Sequence, residues 1–196
     1  MRRILVAGTS GSGKSTVARA VAACTGLPYT ELDALFHGPD WVPRPEFAAD
    51  GAALAARDEW VTEWQYSALR PLLLERAQLL VWLDLPRWRV FAQLVPRTVR
   101  RRMRRTELWN GNVEPPLWTV LTERDHLLRW AWRTHPKTAR LLAEAQAADR
   151  CPPVVRLRNR RQVRAWLDGL RAAVAAREDG GPAAPGPAAG SATPSG

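Results

Sequence analysis

The sequence has little cysteine and no long apolar run. Its 196 residues include two cysteines, Cys24 and Cys151, which are too few for a disulfide framework and are not grouped with histidines as metal ligands. We therefore expect reduced thiols in a cytoplasmic protein. No segment approaches the roughly 20 apolar residues that span a bilayer, and the apolar run after Arg3 is too short for a signal peptide. These absences exclude a disulfide scaffold and a membrane-spanning protein, and we expect no membrane partner.

Lysine is also scarce, although the chain is strongly basic. Lys14 and Lys137 are its only lysines, and arginine supplies the rest of the 29 basic residues that stand against 19 acidic ones. The formal net charge of +10 fits two explanations. One is the compositional bias of a G+C-rich coding sequence, and the other is a polyanionic partner such as nucleic acid. Because charge indicates association and not its target, both explanations stay open.

Apolar runs bounded by turn residues alternate with helical stretches along most of the chain. The runs predict strands over residues 4–7, 28–32, 60–63, 79–85 and 154–157. The stretches between them predict helices over residues 16–24, 46–58, 67–77, 87–105, 118–132, 136–148 and 162–176. This alternation predicts an α/β domain over residues 1–177, with a parallel sheet and helices on both faces. Residues 178–196 are rich in Gly, Pro and Ala and are expected to be a disordered tail.

Glycines cluster in one octapeptide directly after the first predicted strand. The octapeptide matches the phosphate-binding P-loop pattern G-x-x-x-x-G-K-[ST] and is followed by Thr16; it consists of Gly8, Thr9, Ser10, Gly11, Ser12, Gly13, Lys14 and Ser15. Glycines let the backbone curl so that N–H groups point at phosphate oxygens, and the helix that follows adds the positive end of its dipole. We expect Lys14 to reach the β- and γ-phosphates and the Ser15 hydroxyl to bind Mg²⁺. The motif predicts a nucleotide-binding protein that uses ATP and Mg²⁺.

Motifs of other P-loop classes are absent from the sequence. It contains no Asn-Lys-x-Asp motif for reading guanine and no apolar strand that ends in Asp-Glu. The chain is also short for a motor or transporter ATPase. A small kinase is the class that remains.

Three further motifs resemble those of the adenylate-kinase-like P-loop group, and in particular of its topology modulation proteins. They are ELDALFH at residues 31–37 with Trp41 downstream, LDLP at residues 83–86 and LWNGN at residues 108–112. The resemblance implies a sheet order of 2-3-1-4-5, an acceptor-binding segment at about residues 34–58 and an arginine-bearing lid at about residues 96–116. It also implies that Glu63 is the carboxylate on the Mg²⁺ side and that the loop with Arg158 lies by the adenine.

The sequence departs from this group at two positions. Relatives usually end the third strand with Asp-Gly-Asn-Tyr-Ser, whereas this chain has Glu63-Trp64-Gln65-Tyr66-Ser67. Gln93 also stands where relatives tend to carry an arginine. The longer Glu63 side chain and the missing positive charge favour weak turnover. The Thr-Gly-Asp acceptor motif of true adenylate kinases is absent as well.

Asp33 and an arginine face are the main candidates beyond the P-loop. Asp33 follows the second predicted strand, and ligands bind at the carboxyl ends of parallel strands. Its carboxylate could accept the proton of an acceptor hydroxyl or hold Mg²⁺ through water. Arg97, Arg101 and Arg105 are spaced by four and share one helical face, which we expect to close over a triphosphate. A solvated basic face is the alternative.

The remaining candidates have ordinary structural explanations that we weigh equally or prefer. Arg124 and Arg133 could complete the lid, but surface positions are more common. Asp84 could hold a metal, yet we prefer a cap for the helix that begins near Pro86. His37 could be a base, and Trp41 could stack on an acceptor.

The sequence therefore predicts a kinase that transfers the terminal phosphate of ATP to a small-molecule or nucleotide acceptor. An enzyme that phosphorylates nucleic-acid ends would also use the net charge. The alternative from another class is a nucleotide-binding regulatory protein with weak turnover, possibly DNA-associated, which the departures at Glu63 and Gln93 favour.

Overall fold

A five-stranded parallel sheet lies at the centre of the protein in the computed structural model, which describes residues 1–112 and 132–178. The strands are β1 (Arg3–Gly8), β2 (Tyr29–Thr30), β3 (Trp60–Glu63), β4 (Leu79–Leu83) and β5 (Val154–Leu157). Their order is β2-β3-β1-β4-β5, and every neighbouring pair is parallel. The predicted fold class and the predicted order 2-3-1-4-5 are therefore confirmed.

Helices connect successive strands, because parallel neighbours need a crossover. They are α1 (Lys14–Thr25), α2 (Leu32–Phe36), α3 (Phe47–Ala56), α4 (Arg70–Arg76), α5 (Arg87–Met103), α6 (Lys137–Ala147) and α7 (Arg160–Glu178). Two 3₁₀ turns, Pro39–Trp41 and Trp109–Gly111, lie in the connections after α2 and α5. The predicted elements in the described ranges are thus present, with boundaries that shift by a few residues.

The central strand β1 is apolar throughout because both faces of the sheet are covered. Ile4 and Val6 point to one face, where they pack with residues of α1 and α7 such as Val21. Leu5 and Ala7 point to the other face and pack with residues of α3, α4 and α6. The two cores fix the sheet between two helical layers, so that the carboxyl ends of the strands share one edge.

Two predicted strand ends near that edge were wrong. The second strand ends at Thr30 rather than at residue 32, because the backbone N–H of Leu32 donates to the Glu63 side chain (3.3 Å) and α2 begins there. Asp33 therefore lies in the first turn of a helix. The fourth strand ends at Leu83, two residues earlier than predicted.

The end of α5 also differs from the prediction, and its local geometry explains why. The helix continues through Pro96 but stops at Met103, because Arg105 adopts a left-handed backbone with φ of 46°. The N–H of Thr106 donates to the Arg101 carbonyl and the N–H of Arg105 to that of Arg102, at 2.9 and 3.2 Å. This is a Schellman termination, which is usually made with glycine.

Several predictions fall outside the described residues. They are the helix at residues 118–132 apart from its last residue, Arg124, the end of the lid at residues 113–116, and the tail from residue 179 onward. Among the helices that the structure describes, none combines the length and apolar character needed to cross a bilayer. Cys24 and Cys151 are both free and half-buried.

Candidate functional site

The candidate site lies at the carboxyl edge of the sheet, where β1 leads into the P-loop and β3 ends at Glu63. Open parallel sheets bind ligands at this edge. The P-loop follows β1, Asp33 follows β2, and α5 covers the loop from the side of β4. The fold thus brings residues from four separate parts of the sequence to one place.

The P-loop adopts a backbone that only glycine accommodates readily. Gly11 has φ of 81°, and a Cβ there would lie 2.9 Å from the Leu94 Cβ of α5. Gly13 has φ of 94° and precedes the first residue of α1. The hydroxyl oxygens of Thr9 and Ser12 are buried without a hydrogen-bond partner in the described structure. A loop of this shape, with polar atoms left over, fits an anion that bridges to them.

Lys14 is half-buried at the start of α1 and folds back over the loop. Its ammonium group donates to the Thr9 carbonyl at 3.3 Å. Burial lowers the pKa of Lys14; the nearby carboxylates of Asp33 and Glu63 oppose this effect, and the Arg97 guanidinium adds to it. The lysine therefore lies within electrostatic reach of three other predicted site residues.

Glu63 is 1% exposed and ends β3 beneath the P-loop. One carboxylate oxygen accepts from the Tyr29 hydroxyl at 2.6 Å, and the other accepts from the Leu32 N–H. The Ser15 side chain donates to the same carboxylate. Burial raises the pKa of Glu63, and these hydrogen bonds oppose the rise. The two predicted metal ligands, Ser15 and Glu63, are therefore in contact.

Asp33 is held by the two polar residues that follow Trp64. Its Oδ1 atom accepts from Gln65 Nε2 at 2.8 Å and from the Tyr66 hydroxyl at 2.6 Å. Tyr66 has φ of 61°, an uncommon conformation for a residue with a side chain. Its ring packs against Phe36 and Phe47, with centroids 4.4 and 4.9 Å away. The Tyr66 hydroxyl is thus fixed on Asp33 from both its backbone and its ring.

Helix α5 brings part of the predicted arginine face to the P-loop. Leu94 and Thr98 are buried on its inner side, and Leu94 contacts Gly11. Arg97 and Arg101 are half-buried near them. Arg105 lies beyond the helix end and is exposed. The structure therefore places Arg97 at the candidate site and Arg105 in solvent.

The LWNGN motif after α5 is clasped to the segment after α2. Trp41 N–H donates to Asn112 Oδ1 (2.9 Å), and Asn112 Nδ2 donates to the Gly38 carbonyl (2.8 Å). Asn110 donates to the His37 carbonyl. The His37 and Trp109 rings stack at 5.8 Å, and Trp41 meets His37 edge-on at 5.0 Å. The segment after α2 is thus fixed by hydrogen bonds to a partner about 70 residues away in sequence.

No protein-family model and no curated protein matches this sequence. Solved structures with partial likeness include an unliganded sugar kinase from Janibacter sp. HTCC2649, with 25% identity over 89% of this chain and 97% of that one and a TM-score of 0.49. A shikimate kinase from Acinetobacter baumannii in complex with shikimate has 18% identity over 91% and 95%, with a TM-score of 0.47. A gluconokinase from Sinorhizobium meliloti 1021 has 24% identity over 76% and 97%, with a TM-score of 0.38. These TM-scores are too low to support an argument about function. The interpretation therefore rests on the strand order and on the site residues.

Two other predicted residues are committed to ordinary structural contacts. Asp84 does not cap α5, so that prediction was wrong; its Oδ2 accepts from Arg156 at 2.6 and 2.9 Å. Asn159 caps α7 by accepting from the Gln162 N–H, and the exposed Arg158 precedes it. The position of Arg158 beside the nucleotide therefore stays a prediction from the resemblance.

Sequence reasoning missed Tyr29, Gln65 and Tyr66 as site residues. Gln65 and Tyr66 stood in the motif that was read only for Glu63. A buried carboxylate, Glu63, and a half-buried one, Asp33, need donors, and tyrosine hydroxyls near strand ends could have supplied that signal. Gln93, the other departure, donates to the Arg89 carbonyl in its own helix at 3.1 Å.

Proposed function

We propose that the protein is a P-loop phosphotransferase that moves the γ-phosphoryl group of ATP to a hydroxyl of a small acceptor. The single observation that carries this proposal is the surroundings of Lys14. The P-loop lysine lies within electrostatic reach of Asp33 in the first turn of α2, of Glu63 at the end of β3 and of Arg97 in α5. Phosphoryl transfer needs little more than positioned groups that neutralise phosphate charge.

Ser15 and Glu63 are the residues that would hold Mg²⁺ in this proposal. Their hydroxyl and carboxylate oxygens suit a hard cation and already touch. No cluster of three acidic, histidine or cysteine ligands exists within residues 1–112 and 132–178. Mg²⁺ would take its other ligands from nucleotide phosphates and water, and would neutralise charge on the transferring group.

Asp33 is the proposed proton acceptor. The acceptor hydroxyl oxygen forms a bond to the γ-phosphorus, the bond from that phosphorus to the β–γ bridging oxygen breaks, and ADP leaves. The hydroxyl proton passes to the Asp33 carboxylate, whose Oδ1 is held by Gln65 and Tyr66. Lys14, Arg97 and Arg101 would stabilise the phosphate charge, and Arg105 and Arg158 would contact the nucleotide only after moving toward it.

Formation of ADP in the presence of ATP, Mg²⁺ and a panel of hydroxyl acceptors tests this function. The wild type is expected to form ADP in an acceptor-dependent manner, and Lys14→Ala to lose at least about 100-fold of that rate. The melting temperature of the variant should stay close to that of the wild type, because the ammonium group contacts the loop and not the apolar core. Equal turnover by Lys14→Ala would defeat the proposal.

A regulatory nucleotide-binding protein with weak turnover is the second candidate. The observation in its favour is that Tyr29, Ser15 and Leu32 already satisfy the Glu63 carboxylate, so that a metal must displace some of these bonds. Tight ATP binding without ADP formation for any acceptor would favour this candidate. Retarded migration of DNA that weakens with salt would identify a nucleic-acid partner.

The resemblance to the topology modulation proteins of the adenylate-kinase-like group supports the same assignment. The motifs that carry it lie at the site: Asp33 in ELDALFH, and the clasped LWNGN segment. We propose membership of that group on these residues. Equal use of GTP and ATP as donors would argue against an adenine-specific member.

A further inference from the structure

The acceptor side of the candidate site carries the opposite charge to the rest of the protein. Residues 31–50 contain five acidic residues and one arginine, whereas the whole chain has a net charge of +10. This stretch begins at α2, which holds Asp33, and runs to the middle of α3. The negative charge of this stretch disfavours anionic groups of a ligand, whereas the basic phosphate site next to it favours them.

The single arginine of this stretch is not available to an anion. Arg44 forms ion pairs with Glu46 at 3.7 Å and with Asp50 at 3.2 Å, and two carboxylates outweigh its charge. Glu31 is neutralised separately by Arg19 of α1 at 2.7 Å. The acceptor side therefore keeps an excess of negative charge after its own ion pairs are counted.

Asp33 and Asp40 contribute the rest of that charge. Asp33 faces Lys14 on the phosphate side and interacts electrostatically with His37 on the acceptor side. Asp40 is exposed in the turn Pro39–Trp41 and has no basic partner among the side chains that the structure describes. Asp33 and Asp40 thus add two carboxylates to a stretch whose single guanidinium, that of Arg44, is already paired.

Within residues 1–112 and 132–178, an aromatic group lies on the same side. His37, Trp41 and Trp109 form one group of rings, with centroid distances of 5.0 to 6.3 Å. Burial lowers the pKa of His37, and Asp33 and a backbone hydrogen bond oppose this only partly, so the ring is neutral near pH 7. Aromatic faces attract amines and the C–H faces of sugar rings, and they offer nothing to a phosphate.

We infer that the acceptor is a hydroxyl compound without phosphate or carboxylate groups, neutral or amine-bearing, whose ring lies against His37, Trp41 and Trp109 while its hydroxyl meets Asp33. This inference rests on the proposed function and deepens it. It excludes nucleoside monophosphates as acceptors, because their phosphate would lie among carboxylates. The positive groups Lys14 and Arg97 are reserved for the transferring phosphate.

Two series of compounds that keep one ring and vary its charged substituent test the inference. The first is glucose, glucosamine, glucuronate and glucose 6-phosphate, and the second is adenosine and adenosine 5′-monophosphate. Binding to the full chain with Mg²⁺ and ADP is measured by calorimetry, and phosphoryl transfer is measured with Mg²⁺ and ATP. The neutral and amine-bearing members of at least one series are expected to bind at least about 10-fold more tightly than their anionic partners.

Charge variants locate the effect. The double variant Glu46→Gln/Asp50→Asn releases Arg44 and should reduce the discrimination against anions about 5-fold. The matched control, Glu144→Gln/Asp168→Asn, removes two carboxylates that pair with Arg140 and Arg171 far from the site, and should change nothing. Asp40→Asn is a second test that keeps the fold, because asparagine tolerates the left-handed backbone at this position.

The outcomes separate the two proposals. An anionic member that binds as tightly as its neutral partner, or failure of all neutral and amine-bearing members to bind, overturns the inference. Equal effects of the two double variants overturn it as well, because they would show a change in net charge alone. Binding in the expected order without phosphoryl transfer supports the inference and defeats the phosphotransferase proposal.

Discussion

Tyr66 combines an uncommon backbone conformation with a half-buried side chain whose hydroxyl and ring are both in contact with other residues. Its carbonyl accepts from the N–H groups of Leu69 and Arg70 at the start of α4, while its hydroxyl donates to Asp33. Burial and the neighbouring carboxylates raise the pKa of Tyr66, so the hydroxyl keeps its proton and remains a donor. A residue held in an uncommon conformation by several elements is typical of a positioned functional group.

Tyr66→Phe is expected to lower kcat about 10- to 100-fold while the KM for ATP changes less than about 2-fold. The reason is that Asp33 loses one of two donors and its orientation loosens, whereas the P-loop is untouched. Steady-state kinetics with varied ATP and acceptor measure both constants. Ser67→Ala, which removes an exposed hydroxyl from the adjacent residue, is the matched control. An unchanged kcat in Tyr66→Phe would show that Asp33 does not need this hydroxyl.

Glu63→Gln is expected to change how stability depends on pH. An unfolded glutamate loses its proton near pH 4.3, whereas burial raises the pKa of Glu63 in the folded protein. Between the two pKa values the folded state binds more protons, so the free energy of unfolding of the wild type falls as pH rises, by up to about 1.4 kcal/mol per pH unit. The variant lacks this slope.

Urea unfolding from pH 4.5 to 8 measures how the free energy of unfolding changes with pH. Glu144→Gln, which alters an exposed side chain of α6, is the control. The curves of wild type and Glu63→Gln should diverge as pH rises, and those of wild type and Glu144→Gln should stay parallel. Parallel curves for all three proteins would mean that Glu63 titrates as a solvated carboxylate does.

At the scale of elements, α5 joins two parts of the site. Its buried residues Val90, Leu94 and Thr98 pack inward, and its last turns carry a dense set of arginines. The clasp of residues 108–112 then attaches the chain after α5 to the acceptor side. A movement of α5 would therefore change the positions of residues on both the nucleotide side and the acceptor side.

Residues 97–105 are expected to become protected from amide exchange when Mg²⁺ and a non-hydrolysable ATP analogue are added. Like charges at this density destabilise a helix, and a bound triphosphate supplies the missing negative charge. Hydrogen–deuterium exchange followed by mass spectrometry measures the effect. Exchange in α6, which carries none of the candidate site residues, serves as the internal control. Protection by duplex DNA instead of the analogue would identify a nucleic-acid surface.

Sequence reasoning reached the local features of the site but not its long-range contacts. The predicted strand and helix on either side of the glycine-rich loop are present, and the motif could be found because its eight residues are contiguous. The sheet order came from the resemblance. The donors to Asp33 were missed because Gln65 and Tyr66 are more than 30 residues away from it. The clasp to Asn112 was missed for the same reason, since periodicity says nothing about which loops meet.

At the scale of the whole molecule, stability resides in the two cores on either side of the sheet. One core joins β1, β3, β4, α1 and α7, and the other joins the sheet to α3, α4 and α6. The first core extends to Leu170 of α7, and the second to Val154 of β5. The sequence after Glu178 contains no large apolar residue that could extend either core.

Deletion of residues 179–196 is therefore expected to leave the melting temperature within a few degrees of the full chain. A loss of about 1 kcal/mol would already lower it by roughly 2–4 °C in a protein of this size. Calorimetry of the two forms makes the comparison, and Trp166→Ala in the first core is the positive control, with an expected loss of about 3–5 kcal/mol. A large drop on deletion would mean that the removed residues contribute to a core.

The contact between Gly11 and Leu94 is a point about which α5 can tilt against the P-loop. Seven residues separate Leu94 from Arg101, which is roughly 10 Å along a helix that rises about 1.5 Å per residue. A tilt of α5 by about 20° at the Gly11–Leu94 contact would move Arg101 by roughly 4 Å, enough to make or break a guanidinium–phosphate pair. A Cβ atom at position 11 would lie 2.9 Å from the Leu94 Cβ. Gly11 therefore determines the tilt of α5 as well as the shape of the loop.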